Sequence, residues 1–252
     1  MIKLRLIIDE GDGAYHMALD EAMLILRAVN AIPDTIRLYV FKPSTITIGY
    51  FQSVSETVNE DFIRFRGIPL VRRPTGGGAV YHDMNGEITY SIVISEDKVP
   101  KNHIESFKFL AGGVIRAARI LGAPAEFRPL NDGVIAGRKF SGQAQLRRLG
   151  VVLQHGTFMY ATNIDVLAQS LLAPKLKLMS KGVNAIKDRV TTISNYIGRP
   201  ISRDEALRAL IKGFSEALRA ELVESSLSEV ELLLASSLRW KYLSKEWTYL
   251  RP

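Results

Sequence analysis

The sequence predicts a mixed α/β or α+β fold. Segments with strand-like patterns recur as far as residue 160, and two capping boxes open amphipathic helical segments beyond residue 201. With 252 residues, 47% of them hydrophobic, the chain can bury a substantial core. No linker-like stretch divides it, so we expect one domain over residues 1–252 with a helical segment over about 201–252.

The first elements should be a strand, a helix and two further strands. Residues 1–9 alternate in polarity, and residues 14–28 carry apolar side chains at helical spacing. Residues 36–41 and 45–50 are rich in β-branched and aromatic residues, and the segment Lys42-Pro43-Ser44 between them predicts a hairpin or a tight bend.

A glycine-rich segment should lie at the end of the next strand, residues 68–71. Residues 79–81 and 87–94 also have strand character, and they flank Asn85-Gly86, a dipeptide typical of hairpin turns. The sequence therefore predicts a hairpin here.

The second half predicts a long helix, two strands and the terminal helices. Apolar residues follow a helical period over residues 104–121, and Gly122 is placed to end that helix. Strand character returns at 133–136 and 153–160. Ser202 and Ser228 begin the two capping boxes of the final helices.

Composition excludes several kinds of chemistry. The chain has no cysteine, which removes disulfides, thiolate catalysis, iron–sulfur clusters and thiolate zinc sites. Its net charge of +7 suggests an acidic partner, but charge alone does not choose between nucleic acid, an acidic protein and a small anion. No signal peptide and no run of apolar residues long enough to span a membrane is visible, so we expect a cytoplasmic protein.

Two segments are suited to holding an anion. Residues 72–83 read RRPTGGGAVYHD, in which glycines let backbone N–H groups approach an anion and arginines can grip it as planar forks. Residues 137–145 read GRKFSGQAQ and place Lys139 between small residues.

Common catalytic motifs do not account for these segments. Neither a P-loop nor a dinucleotide-binding glycine pattern is present. The four histidines lack metal-site spacing, so no metal held by the protein alone is expected. Ser141 does not lie in a nucleophile elbow, because Lys139 and Gln143 occupy the glycine positions.

Together the two segments resemble the lipoate–protein ligase A family, in a short form limited to the large catalytic domain. The order of other landmarks agrees: residues 17–21, 47–52, 131–133 and 155–157. The resemblance implies a largely antiparallel central sheet flanked by helices, of the biotin/lipoate ligase catalytic-domain type.

It also implies a reaction in two steps. ATP, with Mg²⁺, would activate lipoate as lipoyl-adenylate, and a lysine of an acceptor protein would then take the lipoyl group. Lys139 would be the central catalytic cation, because negative charge grows on phosphate and carboxyl oxygens in such a reaction. The expected ATP and lipoyl-adenylate site comprises Arg72, Arg73, Gly76, Gly77, Gly78, Ala79, Val80, Tyr81, His82, Asp132, Lys139, Gly142, Ala144, His155, Gly156 and Thr157.

Several of these assignments have a simpler alternative. His82 and His155 could serve local hydrogen bonding or packing, and Asp132 lies in an ordinary turn sequence. Apolar residues around Tyr15, Met17, Val71 and Phe140 would either line a slot for the acyl chain or be plain core.

Three other functions are weighed against the ligase. Octanoyltransferases of lipoate biosynthesis share the fold, but they pass the acyl group through a cysteine and this chain has none. Biotin ligases have a glycine segment richer in arginine. A non-catalytic basic binding protein would show a basic stripe with interleaved aromatics, which the sequence lacks.

The resemblance also implies partners. The acceptor would be a lipoyl domain, either of a 2-oxoacid dehydrogenase E2 subunit or the glycine-cleavage H protein. A small accessory subunit is expected in place of the family's C-terminal domain, and neither nucleic acid nor a membrane is expected. Lipoate and octanoate are not distinguished, because both carry the same carboxylate on a similar chain.

Overall fold

The computed structural model describes residues 2–172 and 179–251. The strands are β1 (Ile2–Gly11), β2 (Thr35–Phe41), β3 (Thr45–Ile48), β4 (Leu70–Arg72), β5 (Val80–His82), β6 (Glu87–Ser95), β7 (Ala125–Arg128), β8 (Asp132–Ile135), β9 (Arg138–Arg148), β10 (Val151–Met159) and β11 (Ala220–Glu224). The helices are α1 (Gly13–Ala28), α2 (Val54–Thr57), α3 (Glu60–Arg66), α4 (His103–Ile120), α5 (Ile164–Ser170), α6 (Met179–Arg189), α7 (Ile193–Ile197), α8 (Arg203–Leu218), α9 (Glu229–Leu243) and α10 (Lys245–Thr248), with a 3₁₀ turn at Glu96–Lys98.

Two sheets organise the chain. The large sheet has eight strands in the order β11-β1-β2-β6-β10-β9-β8-β7, and the small sheet has three in the order β4-β3-β5. Only the β11–β1 and β1–β2 pairs of the large sheet are parallel, and its remaining pairs are antiparallel. The predicted mixed fold with a largely antiparallel sheet and flanking helices is confirmed.

Helices cover both faces of the large sheet. Because side chains alternate along a strand, Ile92 packs in the cluster that includes α4 and α8, while Val93 packs in the cluster that includes α1 and α9. Helices α4 and α8 approach closely where a Cβ at Gly113 would lie 2.0 Å from the ring of Phe214. Both faces of the central strands are therefore core.

The predicted hairpin at Asn85-Gly86 is wrong, since β5 belongs to the small sheet and β6 to the large one. Neither residue has the positive φ that a two-residue hairpin turn requires. Glycine is needed here for space, because a Cβ at Gly86 would lie 2.4 Å from backbone atoms of Ala161 and Thr162. Of the two alternatives predicted for residues 42–44, the structure has the bend: the chain passes from β2 into the small sheet, and β2 and β3 do not pair.

The C-terminal segment also contains a strand that the sequence did not indicate. Strand β11 follows α8 and pairs in parallel with β1, with Ile2 opposite Ala220. The helices α8 and α9 begin as predicted, after Ser202 and Ser228. No helix in residues 2–172 and 179–251 is both long and apolar enough to cross a membrane.

Candidate functional site

A narrow slot and a wider groove meet beside the glycine-rich segment. The slot has a volume of about 70 Å³ and the groove about 680 Å³. The residues that line both cavities are Gly78, Ala79, Val80, Lys139, Gly142 and Thr157. Two segments that lie some sixty residues apart in sequence thus form one junction.

Lys139 stands at this junction, on the second residue of β9. Its Nζ lies 2.7 Å from Oδ1 of Asp132, and its side chain is 37% exposed. The lysine side chain lies over Gly142, where a Cβ would come within 2.6 Å of both Cε and Nζ. The absence of a Cβ at Gly142 therefore leaves the space that the amine of Lys139 occupies.

Arg73 shapes the glycine-rich segment from within. Its buried guanidinium donates hydrogen bonds to both Oγ1 and the carbonyl of Thr47, to Oγ1 of Thr75, and to the carbonyls of Gly76 and Gly78, at 2.8–3.3 Å. Within the described part of the chain its hydrogen-bond partners include no carboxylate, and burial lowers its pKa to about 10. Its donors are fully used by the protein.

The two histidines of the site each bridge a threonine and a carboxylate. His155 lies 2.7 Å from Oγ1 of Thr75 and 3.0 Å from Oδ2 of Asp20. His82 lies 2.9 Å from Oγ1 of Thr47 and 3.0 Å from Oε1 of Glu87. Burial lowers the pKa of His155, against the opposing effect of Asp20.

Most of the expected site residues come together. Those that line the slot, some of them also the groove, are Arg73, Gly77, Gly78, Ala79, Val80, His82, Lys139, Gly142, Ala144, His155, Gly156 and Thr157. Tyr81 and Asp132 line the groove alone. Gly76 lines neither and contributes its carbonyl to Arg73.

Arg72 points away from both cavities, so the structure corrects its expected place. Its guanidinium donates to the carbonyls of Trp247, Thr248 and Arg251 in the C-terminal segment and to three carbonyls in the turn after β3. Successive residues of a strand point to opposite faces, so the faces of Arg72 and Arg73 differ.

Several slot residues were not expected from the sequence. They are Tyr39, Phe41, Thr47, Thr89, Asn131 and Gln143. Of the apolar candidates, Met17 lines the slot and also packs with Val71 in one hydrophobic cluster. Phe140 and the partly buried Tyr15 pack in two other clusters and do not line the slot.

A buried ionic cluster behind the slot also went unpredicted. Asp20 accepts hydrogen bonds from Arg37 and Ser91, and Arg37 also contacts Asp9 and Nδ1 of His16. Burial disfavours the charged form of Asp20, but the bond from His155 and the charge of Arg37 outweigh it and lower the pKa of the carboxyl. His16 and Asp20 lie one helical turn apart on α1, and this spacing is the sequence pattern from which the cluster could have been predicted.

The described residues contain no group of three or more histidine, aspartate or glutamate side chains arranged to hold a metal ion. The candidate site is thus built from a lysine, a buried arginine, two imidazoles and a glycine-rich segment.

Comparison with known proteins identifies the family. The model of the lipoyl protein ligase A/B catalytic domain matches residues 12–215. The chain belongs to this family. Among solved structures, the bipartite lipoate protein ligase of Thermoplasma acidophilum, described with its E2 lipoyl domain, is 33% identical with a TM-score of 0.86, covering 100% of this chain and 98% of that one. A lipoate-protein ligase A bound with ATP is 30% identical with a TM-score of 0.83, covering 99% of each chain.

Curated relatives correct the predicted reaction. The octanoyltransferase LipM of Brevibacillus brevis is 34% identical over 100% of both chains, and that of Bacillus subtilis is 33% identical over 97% of both. The main prediction, an ATP-dependent ligase that forms lipoyl-adenylate, is therefore wrong, and the octanoyltransferase alternative fits better. The chain is an enzyme of the lipoate ligase and transferase family.

The error came from the weight placed on the missing cysteine. The prediction took a thioester on the enzyme as necessary for acyl transfer. An amine can instead attack the thioester of a carrier directly. ATP and Mg²⁺ were expected only as requirements of adenylation. The expected accessory subunit has no support either, since these relatives are octanoyltransferases, for which no adenylation partner is required.

Proposed function

We propose that this chain transfers an octanoyl group from an acyl-carrier thioester to a lysine of an acceptor lipoyl domain. Its similarity to octanoyltransferases over the whole chain carries the proposal. The solved ligase that is described with its E2 lipoyl domain supports the choice of acceptor class.

The shapes of the two cavities suit such a transfer. Met17, Tyr39 and Phe41 give the slot an apolar wall on which an alkyl chain can lie. The groove, with a volume of about 680 Å³, offers space for the arm of a carrier or the side chain of an acceptor lysine. The acyl carbonyl would then lie at the junction, beside Lys139.

The reaction proposed at this junction is a single displacement. The ammonium group of the acceptor lysine first loses a proton to solvent. The resulting neutral amine attacks the thioester carbonyl carbon, so that a C–N bond forms. The C–S bond breaks, the thiolate leaves and is protonated, and the nitrogen loses its extra proton. With no cysteine in the chain, no enzyme-bound cysteine thioester intervenes.

Lys139 would stabilise the transition state. Negative charge develops on the carbonyl oxygen as the amine attacks, and a preorganised cation beside that oxygen lowers the barrier. The contact with Asp132 holds the lysine side chain at the junction before the substrate arrives. The slot and groove supply the orientation that brings amine and carbonyl together.

The test is octanoylation of a purified apo lipoyl domain, measured by intact mass with octanoyl acyl carrier protein as donor. We expect Lys139→Ala to lower kcat roughly a hundredfold, as loss of an oxyanion contact typically does. Lys3→Ala is the control, because Lys3 is 76% exposed and lies on β1. Modification from free octanoate and ATP but not from the thioester would overturn the proposed reaction. Full activity of Lys139→Ala would overturn the role given to Lys139.

A further inference from the structure

Two matched hydrogen-bond relays converge on Arg73. One runs from Asp20 through His155 to Thr75, and Oγ1 of Thr75 accepts from Nε of Arg73 at 3.3 Å. The other runs from Glu87 through His82 to Thr47, and Oγ1 of Thr47 accepts from the same guanidinium at 2.9 Å. In each relay a carboxylate, an imidazole and a threonine hydroxyl follow in the same order.

Among the described residues the imidazole is the one acceptor that each threonine hydroxyl can reach, and with the donor Arg73 this sets the direction of each bond. A guanidinium can only donate, so each threonine oxygen accepts from Arg73 and its single hydrogen is free to point at the imidazole. Nε2 of His82 and of His155 is then the acceptor, and each Nδ1–H donates to a carboxylate. These directions assign the same tautomer, with the proton on Nδ1, to both imidazoles.

A third histidine has the opposite tautomer and provides a reference. Nε2 of His16 lies 3.0 Å from the carbonyl of Val40, so it must carry the proton. Its Nδ1 accepts from Arg37 at 2.9 Å. The pattern of tautomers therefore differs between His16 and the relay histidines.

The relays hold the guanidinium that shapes the glycine-rich segment. Arg73 draws the carbonyls of Gly76 and Gly78 towards itself. In a trans peptide the N–H points opposite to the carbonyl, so the N–H groups of Gly77 and Ala79 point away from Arg73. Gly77 has φ +93°, a conformation that favours glycine, and both residues line the slot.

We propose that Thr47 and Thr75 are positioning residues for acyl transfer. Each closes a relay on Arg73, and together they keep the N–H groups of Gly77 and Ala79 presented to the acyl carbonyl oxygen. This inference rests on the proposed function for the reaction that the N–H groups assist. The arrangement of the relays themselves is independent of the acyl donor.

The first test measures the relays without any substrate. Nitrogen-15 NMR of the histidine rings should show Nδ1–H imidazoles for His82 and His155 and an Nε2–H imidazole for His16, assigned with single histidine-to-glutamine variants. Finding a proton on Nε2 of His82 or His155 would overturn the relay arrangement. This result stands whether or not the chain uses a thioester donor.

The second test separates positioning from packing. We expect Thr75→Val and Thr47→Val each to lower kcat roughly tenfold to a hundredfold, with the KM for the acceptor domain unchanged, because misplaced oxyanion donors act on the transition state. Thr75→Ser and Thr47→Ser keep the hydroxyl and should retain activity within a few-fold. The double valine variant should lose less than the product of the single losses, because both threonines act through one guanidinium.

Thr35→Val is the matched control. Thr35 is a buried threonine on β2 whose hydroxyl also accepts from an arginine, Arg5, and donates to the carbonyl of Pro33, yet it lines neither cavity. An equal loss in Thr35→Val, an unchanged kcat in the valine variants, or failure of serine to restore activity would each overturn the positioning role. Amide hydrogen exchange at residues 76–80 should rise in the valine variants even if the transferase assay itself fails.

Discussion

The Nζ of Lys139 lies 2.7 Å from a carboxylate oxygen of Asp132, and that carboxylate also lies 3.4 Å from Arg128. Asp132 thus shares its charge between two cations at the rim of the groove. With the side chains of Lys139 and Asp132 37% and 23% exposed, water reaches the pair and weakens its contribution to stability. The contact therefore contributes little to the stability of the fold, and its main effect is to orient the side chain of Lys139.

Asp132→Asn should therefore change activity without unfolding the protein. We expect the free energy of unfolding to change by less than about 1 kcal/mol, as for exposed ion pairs. kcat should fall several-fold, since Lys139 loses the contact that holds it at the junction. Urea unfolding and the octanoylation assay measure the two effects. Glu10→Gln, which breaks the exposed Lys42–Glu10 pair, is the control, and equal kcat losses in both variants would contradict the assignment.

Gly142→Ala should displace the amine of Lys139, for which we propose the catalytic role. The new Cβ would lie 2.6 Å from Cε and Nζ of Lys139, and the end of a flexible side chain moves more easily than backbone does. We expect a stable fold and a kcat loss of roughly a hundredfold, because a shift of about 1 Å at a reacting group has that effect. If Gly142→Ala retained full activity while Lys139→Ala did not, the observed place of the amine would not be the catalytic one.

Arg72→Ala should affect stability instead of catalysis. Its guanidinium serves carbonyls of both the C-terminal segment and the turn after β3, and the fully buried side chain leaves them unpaired when it is removed. We expect the free energy of unfolding to fall by roughly 3 kcal/mol or more, since each unsatisfied buried acceptor costs about 1–3 kcal/mol. Arg72→Lys should recover only part, because an ammonium has fewer donors. A normal urea midpoint with reduced kcat would place Arg72 in the site after all.

The adjacent arginines show what the sequence can and cannot predict. Their residue types and the neighbouring glycines predicted an anion-binding segment, and the resemblance to the ligase family predicted the role of Lys139. Which of Arg72 and Arg73 faces the cavity depends on the orientation of β4 in the small sheet, and no local pattern records that orientation. The sequence predicted which segments meet at the cavities, but it did not predict which of the two arginines lines the slot.

Elements that depend on distant contacts were missed for the same reason. Asp20 looked like a polar position on an amphipathic helix, but Arg37 and His155 come from other elements to bury it. Gly86 was predicted to be a turn glycine, but glycine is required there because the backbone of residues 161–162 leaves no space for a Cβ. The resemblance left both a ligase and a transferase open, and the wrong choice between them rested on the absence of cysteine, which constrains a covalent intermediate and not the acyl donor.

His16 should make stability depend on pH. Burial, together with the charge of Arg37, lowers its pKa from 6.5 to about 4, against the opposing effects of Asp9, Asp20 and the carbonyl of Val40. Above about pH 6.5, the pKa of His16 in the unfolded chain, the ring is neutral in both the folded and the unfolded state. The contribution of His16 to stability is then fully present. As pH falls from about 6.5 towards 4, the unfolded chain takes up a proton that the folded chain does not, so stability decreases.

The size of this effect can be estimated and tested. The contribution lost by about pH 4 is roughly 3 kcal/mol, at 1.36 kcal/mol per pH unit of difference. His155 acts in the same direction, because burial lowers its pKa too, whereas Asp20, whose pKa is lowered, loses its contribution only at more acidic pH. Urea unfolding at about pH 7 and about pH 5 should show a smaller difference for His16→Gln than for the parent chain. An identical difference in both would mean that His16 is not the neutral buried ring that its bonds to Val40 and Arg37 require.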